Sequence, residues 1–81
     1  MKVTIIGKDG VCSKCEMALG LSKARKVDFD YIKVPSDISL EDAFELVGKN
    51  FSSFPQIIIH SDNNKIINEP NEYRNYLTEN A

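Results

Sequence analysis

The chain has 81 residues, of which 42% are apolar and 27% charged, a balance typical of one soluble globular domain over residues 1–81 and too short for a large pocketed enzyme. Ten basic and twelve acidic residues give a net charge of −2, which does not indicate a nucleic-acid partner. No apolar run approaches the roughly 20 residues of a membrane span and the apolar start is too short for a secretory signal peptide, so we expect a cytoplasmic protein with no membrane partner.

The first elements in chain order are a strand and a helix. Residues 2–7 are apolar and β-branched up to Gly7, which predicts a buried strand. Residues 13–26 contain no proline and are rich in strong helix formers, which predicts a helix beginning at or just after Cys12. Four apolar residues of this helix fall at helical spacing, namely Met17, Ala18, Leu21 and Ala24.

A second strand and a second helix follow. Residues 27–34 alternate in the manner of a strand, which Pro35 ends. Ser39 and Asp42 resemble a capping box with Asp in place of Glu, and a helix is expected to follow and to end near Gly48. Its apolar residues recur at i, i+3, i+4 and i+7, namely Leu40, Ala43, Phe44 and Val47.

The last third of the chain predicts a hairpin and a final helix. Residues 56–60 form a short apolar strand, 61–64 a turn, and 65–68 a weaker strand. Pro70 can start a helix whose inner face carries Tyr73, Tyr76 and Leu77. The order is therefore βαβαββα. A strand–helix–strand unit requires a parallel pair and the hairpin adds an antiparallel strand, so we expect an α/β fold with a mixed four-stranded sheet and three helices.

Two cysteines flank Ser13 and Lys14 at the predicted start of the first helix. The loop between Cys12 and Cys15 is too small to stabilise a fold as a disulfide, so chemistry is the better interpretation. The helix start, together with Lys8 and Lys14, favours a thiolate at Cys12, which could attack a substrate disulfide. Cys15 lies one helical turn later, within reach of Cys12, and could resolve the mixed disulfide.

The alternatives for this pair are two inert buried thiols or half of a metal site. A structural zinc site needs four ligands, and His60 is the only other strong candidate in the sequence. A C-x-x-C beside a strand–helix–strand pattern in a cytosolic chain favours redox use, and we predict no metal site.

Phe54-Pro55-Gln56 is the second informative segment. A proline directly before an apolar strand belongs at the strand's first residue, because it cannot donate a ladder hydrogen bond. It is either an ordinary strand-start proline or a cis bond that leaves the preceding backbone free to pair with an extended peptide.

With these motifs in view, the chain resembles a glutaredoxin of the thioredoxin-fold superfamily. The resemblance covers nearly the whole chain and rests on the C-x-x-C after the first strand and on the later apolar-Pro-Gln-Ile. It implies a thioredoxin-like three-layer fold in a monomeric thiol–disulfide oxidoreductase, with a disulfide-containing protein such as ribonucleotide reductase as its client. Cys12 would be the nucleophile and Cys15 the resolving thiol.

The same resemblance implies no bound cofactor, with glutathione as a reducing co-substrate. Pro55 would be the cis-proline, and the backbone of Phe54 would pair with the cysteinyl part of glutathione. Lys8 would meet a glutathione carboxylate, while Asn71 and Glu72 would meet its γ-glutamyl end.

Two departures from the family pattern bear on the reductant. The usual Cys-Pro-Tyr-Cys is Cys-Ser-Lys-Cys here, and the usual Gly-Gly after the fourth strand is Asn68-Glu69. Side chains and a negative charge at Asn68 and Glu69 oppose the close approach of glutathione, so thioredoxin reductase is an alternative electron source.

Two other functions remain open for the same cysteines. A copper chaperone of the ferredoxin-like type also carries a C-x-x-C after its first strand. However, Val11 stands where that family usually has Met-x, and the second strand leads to a helix where the chaperones form a hairpin. An iron–sulfur carrier would bridge two subunits through Cys12 and glutathione, although such glutaredoxins usually keep one active cysteine.

Overall fold

The computed structural model describes residues 1–80, so that Ala81 of the predicted domain lies outside the described residues. It contains the four strands and three α-helices in the predicted order. Their bounds are β1 Lys2–Lys8, α1 Ser13–Ala24, β2 Asp28–Val34, α2 Leu40–Val47, β3 Gln56–Ile59, β4 Lys65–Ile67 and α3 Pro70–Glu79. Among residues 1–80, no helix combines the length and the apolar character needed to cross a membrane.

The strands form one mixed sheet in the order β2-β1-β3-β4. β1 runs parallel to β2 and antiparallel to β3, and β4 pairs antiparallel with β3. Ile5 lies in register with Tyr31 on one side and with Ile57 on the other. The predicted parallel pair and the predicted hairpin are therefore both confirmed.

Alternate residues of the sheet face two separate cores, which gives three layers. α1 and α3 cover one face, with a core of Val3, Ile5, Ala18, Ile57, Ile59, Ile67, Tyr73 and Leu77. α2 covers the other face, with a core of Ile6, Val34, Ala43, Val47 and Ile58. The thioredoxin-like layout is confirmed. The ferredoxin-like layout of the copper-chaperone alternative is wrong, because a helix separates β2 from β3 where that layout has a hairpin.

Both predicted ends of α2 are confirmed by its capping geometry. The Ser39 hydroxyl accepts the backbone N–H of Asp42 at 3.1 Å, and Gly48 ends the helix with φ of +90°. Only glycine adopts that left-handed conformation without a steric penalty, which explains why the helix stops there.

The buried face and the end of α1 differ from the prediction. The helix ends at Ala24 because Lys26 takes a positive φ of 55°, and its buried residues are Cys15, Ala18 and Ser22. The Ser22 hydroxyl donates to the Ala18 carbonyl at 3.0 Å and lies 2.7 Å from the Tyr73 hydroxyl. These bonds satisfy a buried polar group, so the helix can turn Ser22 inward and leave Met17 exposed.

The hairpin loop also differs in detail from the prediction. β3 ends at Ile59, and His60 begins a short 3-10 turn instead of ending the strand. The His60 ring lies 2.7 Å from the Thr4 hydroxyl and 3.1 Å from Asn64 Oδ1, and these contacts hold the turn against β1.

The hydrogen bond between Ser22 and Tyr73 yields a stability prediction. Replacing Tyr73→Phe keeps the ring but leaves the Ser22 hydroxyl with one partner fewer, and we expect a loss of about 1 to 2 kcal/mol in the free energy of unfolding. Tyr76→Phe is the matched control, because the Tyr76 hydroxyl donates to Asp62 at an exposed site. Denaturant unfolding measures both variants, and equal losses would contradict a special role for the buried bond.

Candidate active site

The two cysteines lie at the start of α1 and are joined by a disulfide, with their Cα atoms 5.3 Å apart. Cys12 is the N-cap of the helix, and its sulfur accepts the backbone N–H of Cys15 at 3.2 Å. Cys12 is partly exposed, whereas Cys15 is 1% exposed and belongs to the core. A C-x-x-C pair at disulfide distance fits a redox-active dithiol, and only one of its sulfurs is presented to the surface.

The loop from β1 to α1 is held against the segment that follows β2. The Asp9 backbone N–H donates to the Val34 carbonyl at 3.0 Å, and the Ser36 hydroxyl donates to the Asp9 carboxylate at 2.7 Å. Gly10 turns the chain with φ of +83°, and Val11 then projects into solvent with 95% of its surface exposed. Cys12 is therefore carried by an anchored loop rather than by a free one.

An open groove of about 380 Å³ lies beside Cys12. Its walls are formed by Lys8, Val11, Cys12, Ser13, Lys14, Ser52, Ser53 and Phe54. The groove therefore brings together three of the residues singled out from the sequence, Lys8, Cys12 and Phe54. It has room for a small disulfide or an extended segment of chain and gives access to one sulfur.

The wall opposite Cys12 comes from the segment that enters β3. The Phe54–Pro55 peptide bond is cis, as is Val34–Pro35, and Pro55 is fully buried. The Gln56 side chain is also buried, and its Nε2 donates to the Ser53 carbonyl at 2.9 Å. Gln56 thus fixes the backbone of this wall, a role that the sequence analysis did not assign. A polar residue opening an otherwise apolar strand was the available signal.

Lys14 carries an ion pair that changes the predicted charge of the site. Its Nζ lies 3.4 Å from both carboxylate oxygens of Glu69, and both side chains are 56% exposed. Glu69 is the N-cap residue of α3, and within residues 1–80 its side chain makes no capping hydrogen bond to that helix. The sequence predicts an effect of Lys14 on Cys12, but in the structure the charge of Lys14 is shared with Glu69.

The other residues expected near glutathione lie elsewhere or at the margin. Asn71 lines a different groove of about 280 Å³ between α1 and α3, together with Met17 and Leu21. Asn68 and Glu72 are exposed on either side of the start of α3. The structure therefore gathers Lys8 and Phe54 around Cys12 and connects Glu69 to the same site through Lys14.

Tyr31 packs across β1, the strand that leads into the Cys12 loop, and sequence reasoning missed this contact. Its ring crosses β1 at Gly7, where a Cβ atom would lie only 2.7 Å from the ring carbon Cε1. Burial raises the pKa of the Tyr31 phenol, and the nearby carboxylates of Glu16, Asp9 and Asp37 raise it further. The phenol is therefore neutral at physiological pH. Only the observed strand register makes this contact visible.

A metal site requires several ligating side chains placed close together. Residues 1–80 contain no group of three or more His, Cys, Asp or Glu side chains placed to hold a metal ion. His60 lies in the β3–β4 loop and contacts Thr4 and Asn64, not the cysteines.

In comparisons with known proteins, no protein-family model matches the chain and no curated protein matches it significantly. The fold and the site together define a small α/β domain of thioredoxin-like layout with a C-x-x-C disulfide at a strand-to-helix junction. The function of this domain is therefore inferred from the geometry of this site.

The position of Cys12 yields a prediction about the reduced protein. We expect its thiolate to form with a pKa below the roughly 8.5 of an unperturbed cysteine, because the start of α1 and Lys8 favour the anion. Alkylation by iodoacetamide across a pH series, followed by mass spectrometry of each cysteine, measures this directly. The urea-unfolded protein is the control, in which both thiols should react alike. Faster alkylation of Cys15 in the folded protein would contradict the assignment.

Proposed function

We propose that this protein is a small thiol–disulfide oxidoreductase of the glutaredoxin type. The observation that carries the proposal is the asymmetry of the two sulfurs. Cys12 opens onto a groove at a helix start and accepts a backbone N–H, while Cys15 is buried behind it within bonding distance. An exposed attacking sulfur and a protected resolving sulfur are what dithiol exchange requires.

The reaction begins with the reduced protein and a substrate disulfide. The Cys12 thiolate attacks one substrate sulfur, which forms a mixed disulfide and releases the other substrate sulfur as a thiolate. Cys15 then loses its proton and attacks the Cys12 sulfur, which releases the second substrate thiolate and forms the Cys12–Cys15 disulfide. Two electrons pass from the dithiol to the substrate. An external thiol or a reductase must then return two electrons to the protein.

The burial of Cys15 supports its role as the second sulfur rather than the first. A thiol that is 1% exposed cannot meet a disulfide carried by another molecule, but it can reach a sulfur one helical turn away. The capping bond from the Cys15 backbone N–H also favours negative charge on Cys12, so a larger fraction of Cys12 is present as the attacking thiolate at neutral pH.

The groove supports a disulfide-containing protein segment as the substrate. Its opening is lined by the exposed Val11 and by the wall at Phe54, where an extended segment could pair with backbone. As part of the same proposal, the client is a protein such as ribonucleotide reductase, and the protein acts as a cytoplasmic monomer. Glutathione or thioredoxin reductase supplies the electrons.

Serine variants of the two cysteines test the order of attack. Cys15→Ser should accumulate a mixed disulfide on Cys12 when mixed with a disulfide-bonded protein, because the releasing thiol is missing. Cys12→Ser should form no adduct and should show no exchange. Non-reducing gel electrophoresis and intact mass spectrometry score both variants. Equal residual exchange in the two variants would argue against this mechanism.

The identity of the reductant gives a second test. We expect weak use of glutathione that improves in the double variant Asn68→Gly, Glu69→Gly, because the variant removes two side chains after β4 and the negative charge that pairs with Lys14. Steady-state kinetics with glutathione and glutathione reductase, compared with thioredoxin reductase, provide the measurement. A Michaelis constant for glutathione that does not fall, at equal stability of the fold, would show that this segment does not limit glutathione binding.

A further inference from the structure

The ion pair between Lys14 and Glu69 joins the wall of the groove beside Cys12 to the start of α3. Lys14 lies between the two cysteines on the first turn of α1 and forms part of the groove wall. Glu69 comes from the start of α3, 55 positions away in the sequence, and contacts Lys14 through both carboxylate oxygens. Glu69 does not itself line the groove, but its negative charge is held 3.4 Å from the Nζ of Lys14, one of the two basic residues of the groove wall.

The fold, rather than the disulfide, holds this carboxylate in place. Glu69 occupies the N-cap position of α3, where the helix dipole favours an anion, and Pro70 fixes the first helical position after it. Lys14 is positioned by the backbone of α1. Within residues 1–80, neither side chain forms a hydrogen bond or an ion pair with a cysteine sulfur. Reduction of the cysteines therefore leaves this ion pair in place.

We propose that Glu69 is a charge-based specificity determinant that disfavours anionic disulfides relative to neutral and cationic ones. This inference rests on the proposed function and deepens it, because it names the chemical class of disulfide that the site accepts. An anionic substrate entering the groove must compete with Glu69 for the Lys14 ammonium and must also approach the Glu69 charge. A cationic substrate meets an attraction at the same place.

The expected effect is modest because the pair is exposed. Two charges in water about 8 Å apart, partly screened at low ionic strength, change a rate constant by about twofold. The same interaction should be nearly lost at about 0.5 M salt, where the screening length falls to a few ångströms.

The test uses pre-reduced full-length protein and three small disulfides that differ in charge. These are cystamine, which is cationic, bis(2-hydroxyethyl) disulfide, which is neutral, and 3,3′-dithiodipropionate, which is anionic. Conversion of the protein from dithiol to disulfide in a single turnover, stopped by acid quenching and measured by mass spectrometry of the protein, gives each rate constant. Each rate is divided by that of the neutral disulfide, because a change in Cys12 thiolate content alters all three rates together and cancels in the ratio.

Glu69→Gln is the test variant and Glu72→Gln is its matched control. Both remove one negative charge from the start of α3, but Glu69 alone contacts Lys14. At low ionic strength we expect Glu69→Gln to raise the anionic ratio and to lower the cationic ratio, each by about twofold, while Glu72→Gln changes each ratio by less than half as much.

Three results would overturn the inference. The first is an unchanged pair of ratios in Glu69→Gln, and the second is an equal change in Glu72→Gln, which would show only an effect of net charge. The third is an effect that persists at high salt, since such an effect would not be electrostatic. Failure of the wild-type protein to reduce even the neutral disulfide would instead overturn the proposed function itself, so the two failures are distinguishable.

Discussion

The antiparallel pairing of β1 with β3 is the constraint on which the candidate active site depends. Because the two strands run in opposite directions, the C-terminal end of β1 and the N-terminal end of β3 lie at the same end of the sheet, with Ile6 opposite Gln56. The loop that carries Cys12 leaves from one strand, and the segment ending in Phe54 enters the other. A site assembled from residues more than 40 positions apart therefore follows from a single strand pairing.

The first turn of α1 places the two cysteines at this end of the sheet and sets their surroundings. Its backbone N–H groups have no partners within the helix, and one of them donates to the sulfur of Cys12. The helix then turns Cys15 into the core, so two residues of the same type acquire different surroundings within one turn. The difference in environment is a property of helix geometry and burial. It needs no catalytic group beyond the two thiols.

The order of the elements and the closeness of the two C-x-x-C sulfurs at a helix start could be predicted from the sequence because they depend on local signals. Ser39 and Gly48 mark the ends of α2 by their capping preferences, and Pro70 marks the start of α3. The inner face of α1 could not be predicted, because the burial of Ser22 depends on a hydroxyl 51 positions away. The ion pair of Lys14 with Glu69 could not be predicted for the same reason. Long-range polar pairs leave no periodic trace in a sequence.

The contacts between α1 and α3 have a mechanical consequence. Lys14 meets Glu69 near the front of the two helices, and Ser22 meets Tyr73 about 12 Å further along α1, a distance given by eight residues at 1.5 Å each. Beyond them, Arg25 donates to Thr78 at 2.9 Å. A single contact would allow one helix to rotate relative to the other. Contacts at three points along the helices resist that rotation, so α1, which carries both cysteines, is held in a fixed orientation against α3.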